Sequence, residues 1–191
     1  MAGVRVLILA GGRGSRMGGG KESVVLGDGR TMLQHVVAGV EGLGLPIVVS
    51  AGVGAEIDAG LPILPDKQPF EGPLMAIHRG LVACAPDDLL VVCCDQPLVS
   101  PALVRRLLPT SDDARPAFFE SEDGGSLAPF PGYFPHGALA SMGAALGAGE
   151  RSPRRWASTQ RCRFEPASGA EAQLLRSFNC RNELHAAGLL E

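Results

Sequence analysis

A glycine-rich loop with several cations lies near the start of the chain. Residues 11–20 contain six glycines; they follow the strand-like run Val4–Ala10 and precede Lys21. Glycine lets the backbone approach a ligand closely, so that N–H groups can point at an anion, and Arg13, Arg16 and Lys21 add positive charge. The loop therefore predicts a site for the phosphates of a nucleotide.

The spacing of this loop excludes two common nucleotide motifs. A Walker loop would need a glycine at Ser15 and a hydroxyl at Glu22, and the dinucleotide fingerprint fails because Met17 stands at its third glycine. What remains is Leu-Ala-Gly-Gly-x-Gly-x-Arg-Met-Gly over residues 9–18, with Lys21 after it. That pattern resembles the signature loop of nucleotidyltransferases, which move a nucleoside monophosphate from a triphosphate onto a phosphorylated acceptor.

Two acidic residues follow apolar runs and are candidates for the same site. Asp95 comes after the run Asp88–Cys94, where a buried carboxylate needs a partner such as Mg²⁺ on a triphosphate, or else caps a turn. Asp66 follows a shorter run, and Gly72-Pro73 beyond it predicts a helix N-terminus suited to anions. Asp66 could accept a hydrogen bond from a base or ribose, or be an ordinary loop residue.

Alternating apolar strands and helices predict an α/β layer fold. The expected strands are 4–10, 46–50, 61–64, 88–94 and 162–165, and the expected helices follow Thr31, Pro73 and Ser100 or end near Gly149. Residues 121–137 are crowded with Pro, Gly and Ser and give no pattern. Since no long linker divides the chain, we expect one domain over residues 1–191, with a nucleotide-binding half (1–109) and an acceptor-side half (110–191).

Composition narrows the classes of partner. The 191 residues are 46% hydrophobic and 19% charged, carry a net charge of −3 and include only 5% aromatics, which argues against disorder and against nucleic-acid binding. No apolar segment is long enough for a signal or a membrane span, and the five cysteines form no Cys-x-x-Cys pair, so we expect reduced thiols and a cytoplasmic location. The four histidines are scattered and predict structural or surface roles, and Arg105-Arg106 predicts a solvated helix face.

Taken together, the motifs resemble those of the molybdenum cofactor guanylyltransferase family. The resemblance rests on the loop motif through Lys21, on Asp66 with Phe70-x-Gly72-Pro73-Leu74, and on Cys94-Asp95-x-Pro97. It implies a three-layer Rossmann-like nucleotidyltransferase fold with a mostly parallel central sheet. It also implies transfer of GMP from GTP to the phosphate of molybdopterin, which gives the guanine dinucleotide cofactor and pyrophosphate, and transient contacts with other cofactor-biosynthesis proteins or target apoenzymes.

The resemblance also assigns roles. The residues expected to bind the nucleotide are Leu9, Ala10, Gly11, Gly12, Lys21, Asp66 and Asp95, and Asp95 is expected to hold Mg²⁺. The reaction is an in-line displacement by an acceptor phosphate oxygen that is already ionised, so no general base is required. Catalysis would then come from positioning and charge neutralisation by Arg16, Lys21 and Asp95.

The chain departs from the family pattern at three places, and these keep alternatives open. Gly20 stands where relatives carry Asp, residues 50–52 lack the usual Asn, and of the C-terminal Asn-x-Asn only Asn179 is retained. The double glycine at 11–12 favours the guanylyl over the cytidylyl branch. A cytidylyl or sugar-phosphate nucleotidyltransferase and a non-catalytic nucleotide-binding module remain alternatives, and a contact of Arg151, Arg154 or Arg155 with the acceptor is open.

Overall fold

A seven-stranded sheet forms the centre of the protein. The computed structural model describes residues 3–11, 20–53, 57, 60–68, 71–110, 113–121 and 127–190. The strands are β1 (Val4–Ala10), β2 (Ile47–Ala51), β3 (Ile63–Pro65), β4 (Asp88–Cys93), β5 (Ala117–Ser121), β6 (Leu127–Phe134) and β7 (Arg163–Ala167), in the order β3-β2-β1-β4-β6-β5-β7. Among these strands only β6 runs antiparallel to its neighbours. The predicted mostly parallel sheet is confirmed.

Seven helices accompany the sheet in the described part of the chain. They are α1 (Met32–Glu41), α2 (Pro73–Ala83), α3 (Pro101–Val104), α4 (Leu139–Gly147), α5 (Pro153–Ala157), α6 (Gly169–Leu174) and α7 (Arg181–Ala186). The predicted capping box of α1 is present, because Thr31 and Gln34 exchange side chain–backbone hydrogen bonds. Helix α2 begins after Gly72, whose φ of 86° favours glycine. None of these helices is long and apolar enough to cross a membrane.

Both faces of the sheet are covered, which gives the predicted three layers. Alternate residues of β4 point to opposite sides: Leu90 and Val92 join the cluster containing Val36 of α1, whereas Leu89 and Val91 join that containing Ile77 of α2. Burial on both faces explains why this strand is apolar throughout. A third cluster, formed by Val24, Leu26, Met32, Phe178 and Leu184, joins the C-terminal segment to the residues after the glycine-rich loop.

Two sequence-based expectations were wrong. Residues 121–137, which show no regular pattern in the sequence, contain the whole of β6. The alternation of this strand is broken by a shift in register beside Phe118 and by Gly132. A Cβ at Gly132 would lie 2.8 Å from the Pro129 carbonyl, so this bend requires glycine rather than a strand-forming residue. Arg106 is not simply solvated, since it pairs with Glu171 at 2.8 Å and lies over the Phe119 ring.

Candidate active site

The carboxyl ends of β1, β2 and β4 bring the predicted site residues to one edge of the sheet. Leu9 pairs with Cys93, and its carbonyl accepts a hydrogen bond from the Cys94 N–H at 3.0 Å. On the other side of β1, Ala10 pairs with Ala51, whose carbonyl accepts from the Asp66 N–H at 2.8 Å. The two acidic motifs therefore flank the end of β1, where parallel α/β sheets place ligands.

Lys21 connects the end of the glycine-rich loop to Asp95 and to Asn179 in the C-terminal segment. Its Nζ donates to Asp95 Oδ2 at 3.0 Å and to Asn179 Oδ1 at 2.7 Å. The Lys21 and Asp95 side chains are 23% and 18% exposed, so the pair is only partly screened by water. The structure thus brings Lys21 and Asp95, two of the residues predicted to be catalytic, into direct contact.

The second oxygen of Asp95 has different surroundings from the first. Asp95 Oδ1 is buried and has no hydrogen-bond partner among the described residues. The described residues contain no group of three His, Cys, Asp or Glu side chains that could hold a metal ion. A single carboxylate oxygen fits Mg²⁺, which keeps several waters and takes other oxygens from substrate phosphates, and does not fit a closed structural zinc site.

Asn179 was matched by resemblance but not named as a site residue, and the structure places it beside Lys21. The preceding Phe178 is buried in the third cluster, and its N–H donates to the Asp95 carbonyl at 2.8 Å. The Asn179 N–H donates to Glu183 Oε2 at 2.5 Å, and this bond holds the pKa of Glu183 below its usual range. The local signal for this position in the sequence is the apolar Phe178 directly before the polar Asn179.

Asp66 belongs to a second charged group that the sequence did not reveal. Arg79 of α2 donates through its two terminal nitrogens to Asp66 Oδ1 and to Glu71 Oε2. Burial raises the pKa of Asp66, and the Arg79 guanidinium opposes that rise. A Cβ built on Gly11 would lie 3.6 Å from Asp66 Oδ2, so the other carboxylate oxygen faces the end of β1.

The remaining predictions concern the glycine-rich loop, the end of β1 and the start of α2. Gly12 and Arg16 lie outside the described residues. The side chains of Leu9 and Ala10 are buried at 7% and 1% exposure, so their backbone is what a ligand could contact. The Arg151 carbonyl accepts from the Leu74 N–H at 3.3 Å, so the protein itself uses one donor of the expected anion site at the start of α2.

A mostly parallel sheet with Lys21 and Asp95 at the carboxyl edge of its central strands defines an α/β protein that binds its ligand at the strand ends. The model of the MobA-like NTP transferase domain matches residues 6–163, and this chain belongs to that family. It is 30% identical over 187 residues to a molybdenum cofactor guanylyltransferase of Cupriavidus metallidurans, covering 94% of this chain and 91% of that protein.

Solved structures confirm the fold. The molybdopterin-guanine dinucleotide biosynthesis protein A of Archaeoglobus fulgidus superposes with a TM-score of 0.76 at 18% identity, covering 96% of both chains. The 2-C-methyl-D-erythritol 4-phosphate cytidylyltransferase of Thermus thermophilus superposes with a TM-score of 0.68 at 21% identity, covering 97% of both. Proteins named for different bases thus share this fold, and base choice must come from local residues.

Proposed function

We propose that this protein transfers GMP from GTP to the phosphate of molybdopterin, forming the guanine dinucleotide cofactor and releasing pyrophosphate. The observation that carries the proposal is the contact of Lys21 with Asp95 and Asn179 at the edge where β1 enters the glycine-rich loop. Family membership and the guanylyltransferase relatives supply the identity of the base and the acceptor.

The nucleotide lies, in this proposal, across the ends of β1, β2 and β4. The backbone of Leu9, Ala10, Gly11 and Gly12 contacts the guanine and ribose, and Asp66 accepts a hydrogen bond from the nucleoside. Lys21 and Arg16 bind the phosphates. Gly11 borders both the end of β2 and Asp66, because a Cβ there would lie 3.4 Å from the Gly52 nitrogen and 3.6 Å from Asp66 Oδ2.

Charge neutralisation and positioning drive the transfer. Mg²⁺, held by Asp95 Oδ1, supplies charge neutralisation on the triphosphate when bound. Lys21 holds the opposite carboxylate oxygen and offers its remaining donor capacity to phosphate oxygens. The acceptor phosphate is already an anion, so the site needs no side chain to remove a proton during displacement.

In this proposal the two halves of the chain have different roles. Residues 1–109 bind the nucleotide, and residues 110–191, with the basic segment containing Arg154, form the acceptor side. The five free thiols are consistent with a cytoplasmic location. Transfer of the product to other cofactor-biosynthesis proteins or target apoenzymes would require only transient contacts.

A nucleotide panel tests the proposal. Calorimetric titration with GTP, CTP and ATP in the presence of Mg²⁺ should give selective GTP binding, and pyrophosphate release should require molybdopterin. Asp95→Asn should keep the fold and lose the Mg²⁺ dependence of binding. Asp28→Asn, which changes an exposed carboxylate in a turn, is the control. Preference for CTP would transfer the protein to the cytidylyl branch, and the absence of any triphosphate binding would refute the proposal.

A further inference from the structure

Arg79 is a buried cation with no role in the transfer proposed above. Its side chain is 12% exposed, and it pairs with Asp66 and Glu71, which are 17% and 18% exposed. Two carboxylates and one guanidinium leave one net negative charge at this place. Keeping this net negative charge partly buried costs free energy unless a further hydrogen-bond donor pairs with one of the carboxylates.

The position of Arg79 follows from how α2 packs on the sheet. The next residue is Gly80, where a Cβ would lie 2.7 Å from Leu7 Cδ2 and 2.9 Å from Leu89 Cδ1. Glycine therefore lets the helix lie close against β1 and β4. Side chains on a helix point towards its N-terminus, so Arg79 reaches back to Glu71, just before α2, and to Asp66, just after β3.

The two oxygens of Asp66 have different surroundings. Oδ1 accepts from Arg79, while Oδ2 lies on the side of Gly11, at the end of β1. The backbone of Asp66 is fixed as well, through its N–H bond to the Ala51 carbonyl. One carboxylate oxygen is thus oriented by the protein and the other is presented to the nucleotide edge.

From this geometry, and resting on the proposed function, we propose that Arg79 is a positioning residue for nucleoside recognition. It fixes the Asp66 carboxylate so that Oδ2 accepts a hydrogen bond from an N–H or O–H donor of the base or ribose. Glu71 holds the second terminal nitrogen of Arg79 and so fixes the plane of the guanidinium.

Ionisation of Asp66 is the second consequence of the arrangement. Among the residues that the structure describes, the charged groups acting on Asp66 are Arg79 from α2 and Glu71 from the preceding loop. Burial and Glu71 both favour the protonated acid, and Arg79 favours the carboxylate. Without Arg79 the carboxylate would take up a proton at higher pH and would no longer be a pure acceptor.

Titration of the full-length protein with GTP and Mg²⁺ tests the proposal through Arg79→Met, Asp66→Asn and the double variant. Arg79→Met should weaken GTP binding about tenfold, the size expected for a lost charged hydrogen bond, and leave kcat nearly unchanged. The double variant should bind no worse than Asp66→Asn, because Arg79 acts through Asp66. In Arg79→Met the loss of affinity on acidification should begin at higher pH than in the unmodified protein. Arg105→Met, which removes an exposed arginine that donates to the Gly42 carbonyl, is the control.

Nucleotide analogues identify the donor. Inosine triphosphate lacks the exocyclic amine, and 2′-deoxy-GTP lacks one ribose hydroxyl. The penalty of Asp66→Asn should vanish with the analogue that lacks the group bonded to Oδ2. A penalty that persists with both analogues assigns the donor to the guanine N1–H or the ribose 3′-OH. If the effects of Arg79→Met and Asp66→Asn multiply, the proposal is overturned.

A structural role for Arg79 predicts a different result. Arg79→Lys keeps the positive charge but lacks the two terminal nitrogens that bind Asp66 and Glu71 together. This variant should fold, keep a pH profile near that of the unmodified protein and recover only part of the affinity lost in Arg79→Met. Equal loss of kcat and affinity for every nucleotide in Arg79→Lys would contradict the positioning role. Should the unmodified protein prefer CTP, the guanylyl assignment fails, while the same double-variant comparison with CTP still decides the role of Arg79.

Discussion

The Lys21 ammonium lies 3.0 Å from Asp95 Oδ2 and joins the end of the glycine-rich loop to the end of β4. These residues are 74 positions apart in the chain. Lys21 follows the glycine-rich segment, and Asp95 follows the apolar strand β4. One Asp95 oxygen pairs with Lys21, and the other is buried and has no hydrogen-bond partner within the part of the chain that the structure describes. This arrangement supports the proposal that Asp95 holds a cation and that Lys21 contacts phosphate oxygens.

Lys21→Met should remove most of the activity. The substitution takes away the cation that contacts the phosphates and leaves the Asp95 carboxylate without its counter-ion, so kcat/KM should fall about 100-fold or more. Because both side chains are partly solvated, unfolding free energy should fall by only about 1 kcal/mol. Steady-state kinetics and urea unfolding measure the two effects. Arg30→Met, which breaks the exposed pair with Asp28, is the control, and an equal loss of activity there would contradict this account.

Asn179→Ala should reduce kcat/KM about tenfold, because the side-chain oxygen of Asn179 helps to hold the Lys21 ammonium in place. Asn179→Asp should weaken triphosphate binding further, since it adds negative charge beside Asp95. The neighbouring Asn182 is exposed at the start of α7, and Asn182→Ala provides the matched control. Steady-state assays of the three variants measure these changes in kcat/KM. Equal kcat/KM values for Asn179→Ala and Asn182→Ala would exclude a role for Asn179 in the site.

Gln96→Leu should destabilise the fold. Gln96 is 1% exposed, and its side-chain amide donates to the carbonyls of Phe130 in β6 and Leu175 after α6, at 2.9 and 2.7 Å. Leaving two carbonyls without their donor should cost about 2–4 kcal/mol of unfolding free energy, which corresponds to a fall in Tm of about 5–10 °C. Thermal unfolding followed by circular dichroism measures this. Exposed Gln173→Leu should change Tm little, and a similar change in both variants would argue against the role of Gln96.

Local sequence patterns predict the parallel half of the sheet well. Apolar runs identify β1, β2 and β4, and the capping box identifies the start of α1. The acidic residue after β4 lies, as expected, at the carboxyl edge of the sheet. These features depend on neighbouring residues alone, namely on strand burial, capping and the chemistry of strand ends. The sequence therefore carries them without knowledge of the tertiary contacts.

The features missed from the sequence depend on contacts between distant residues. Strand β6 contains Pro131 and Gly132, and its interrupted pattern becomes a strand only through pairing with β4 and β5. Arg79 lies on a helix whose other contacts are apolar, and no local signal shows that it reaches Asp66 and Glu71. Asn179 joins Lys21 only because Phe178 packs into the third cluster.

Tyr133→Phe should change how stability depends on alkaline pH. Tyr133 is fully buried and its hydroxyl donates to Asp88 Oδ2 at 2.6 Å; burial and this bond raise the pKa of Tyr133 far above its usual range. A raised pKa in the folded state means that the neutral phenol stabilises the fold below the unfolded pKa of about 10, and that this stability is lost as pH rises further. The phenylalanine variant has no hydroxyl that could ionise, so its stability lacks this dependence on pH.

The two proteins should therefore approach one another in stability as the solution becomes alkaline. At about pH 8 the variant should be less stable by about 1–2 kcal/mol, since Asp88 keeps only the His136 N–H bond at 2.7 Å. By about pH 11 the difference in unfolding free energy should be clearly smaller. The cysteine thiols, such as the partly buried Cys162, whose pKa is raised to about 11 by burial, titrate in both proteins, so their effects cancel in the comparison. Urea unfolding at both pH values measures the difference, and a constant difference would show that the Tyr133 hydroxyl does not titrate with unfolding as argued.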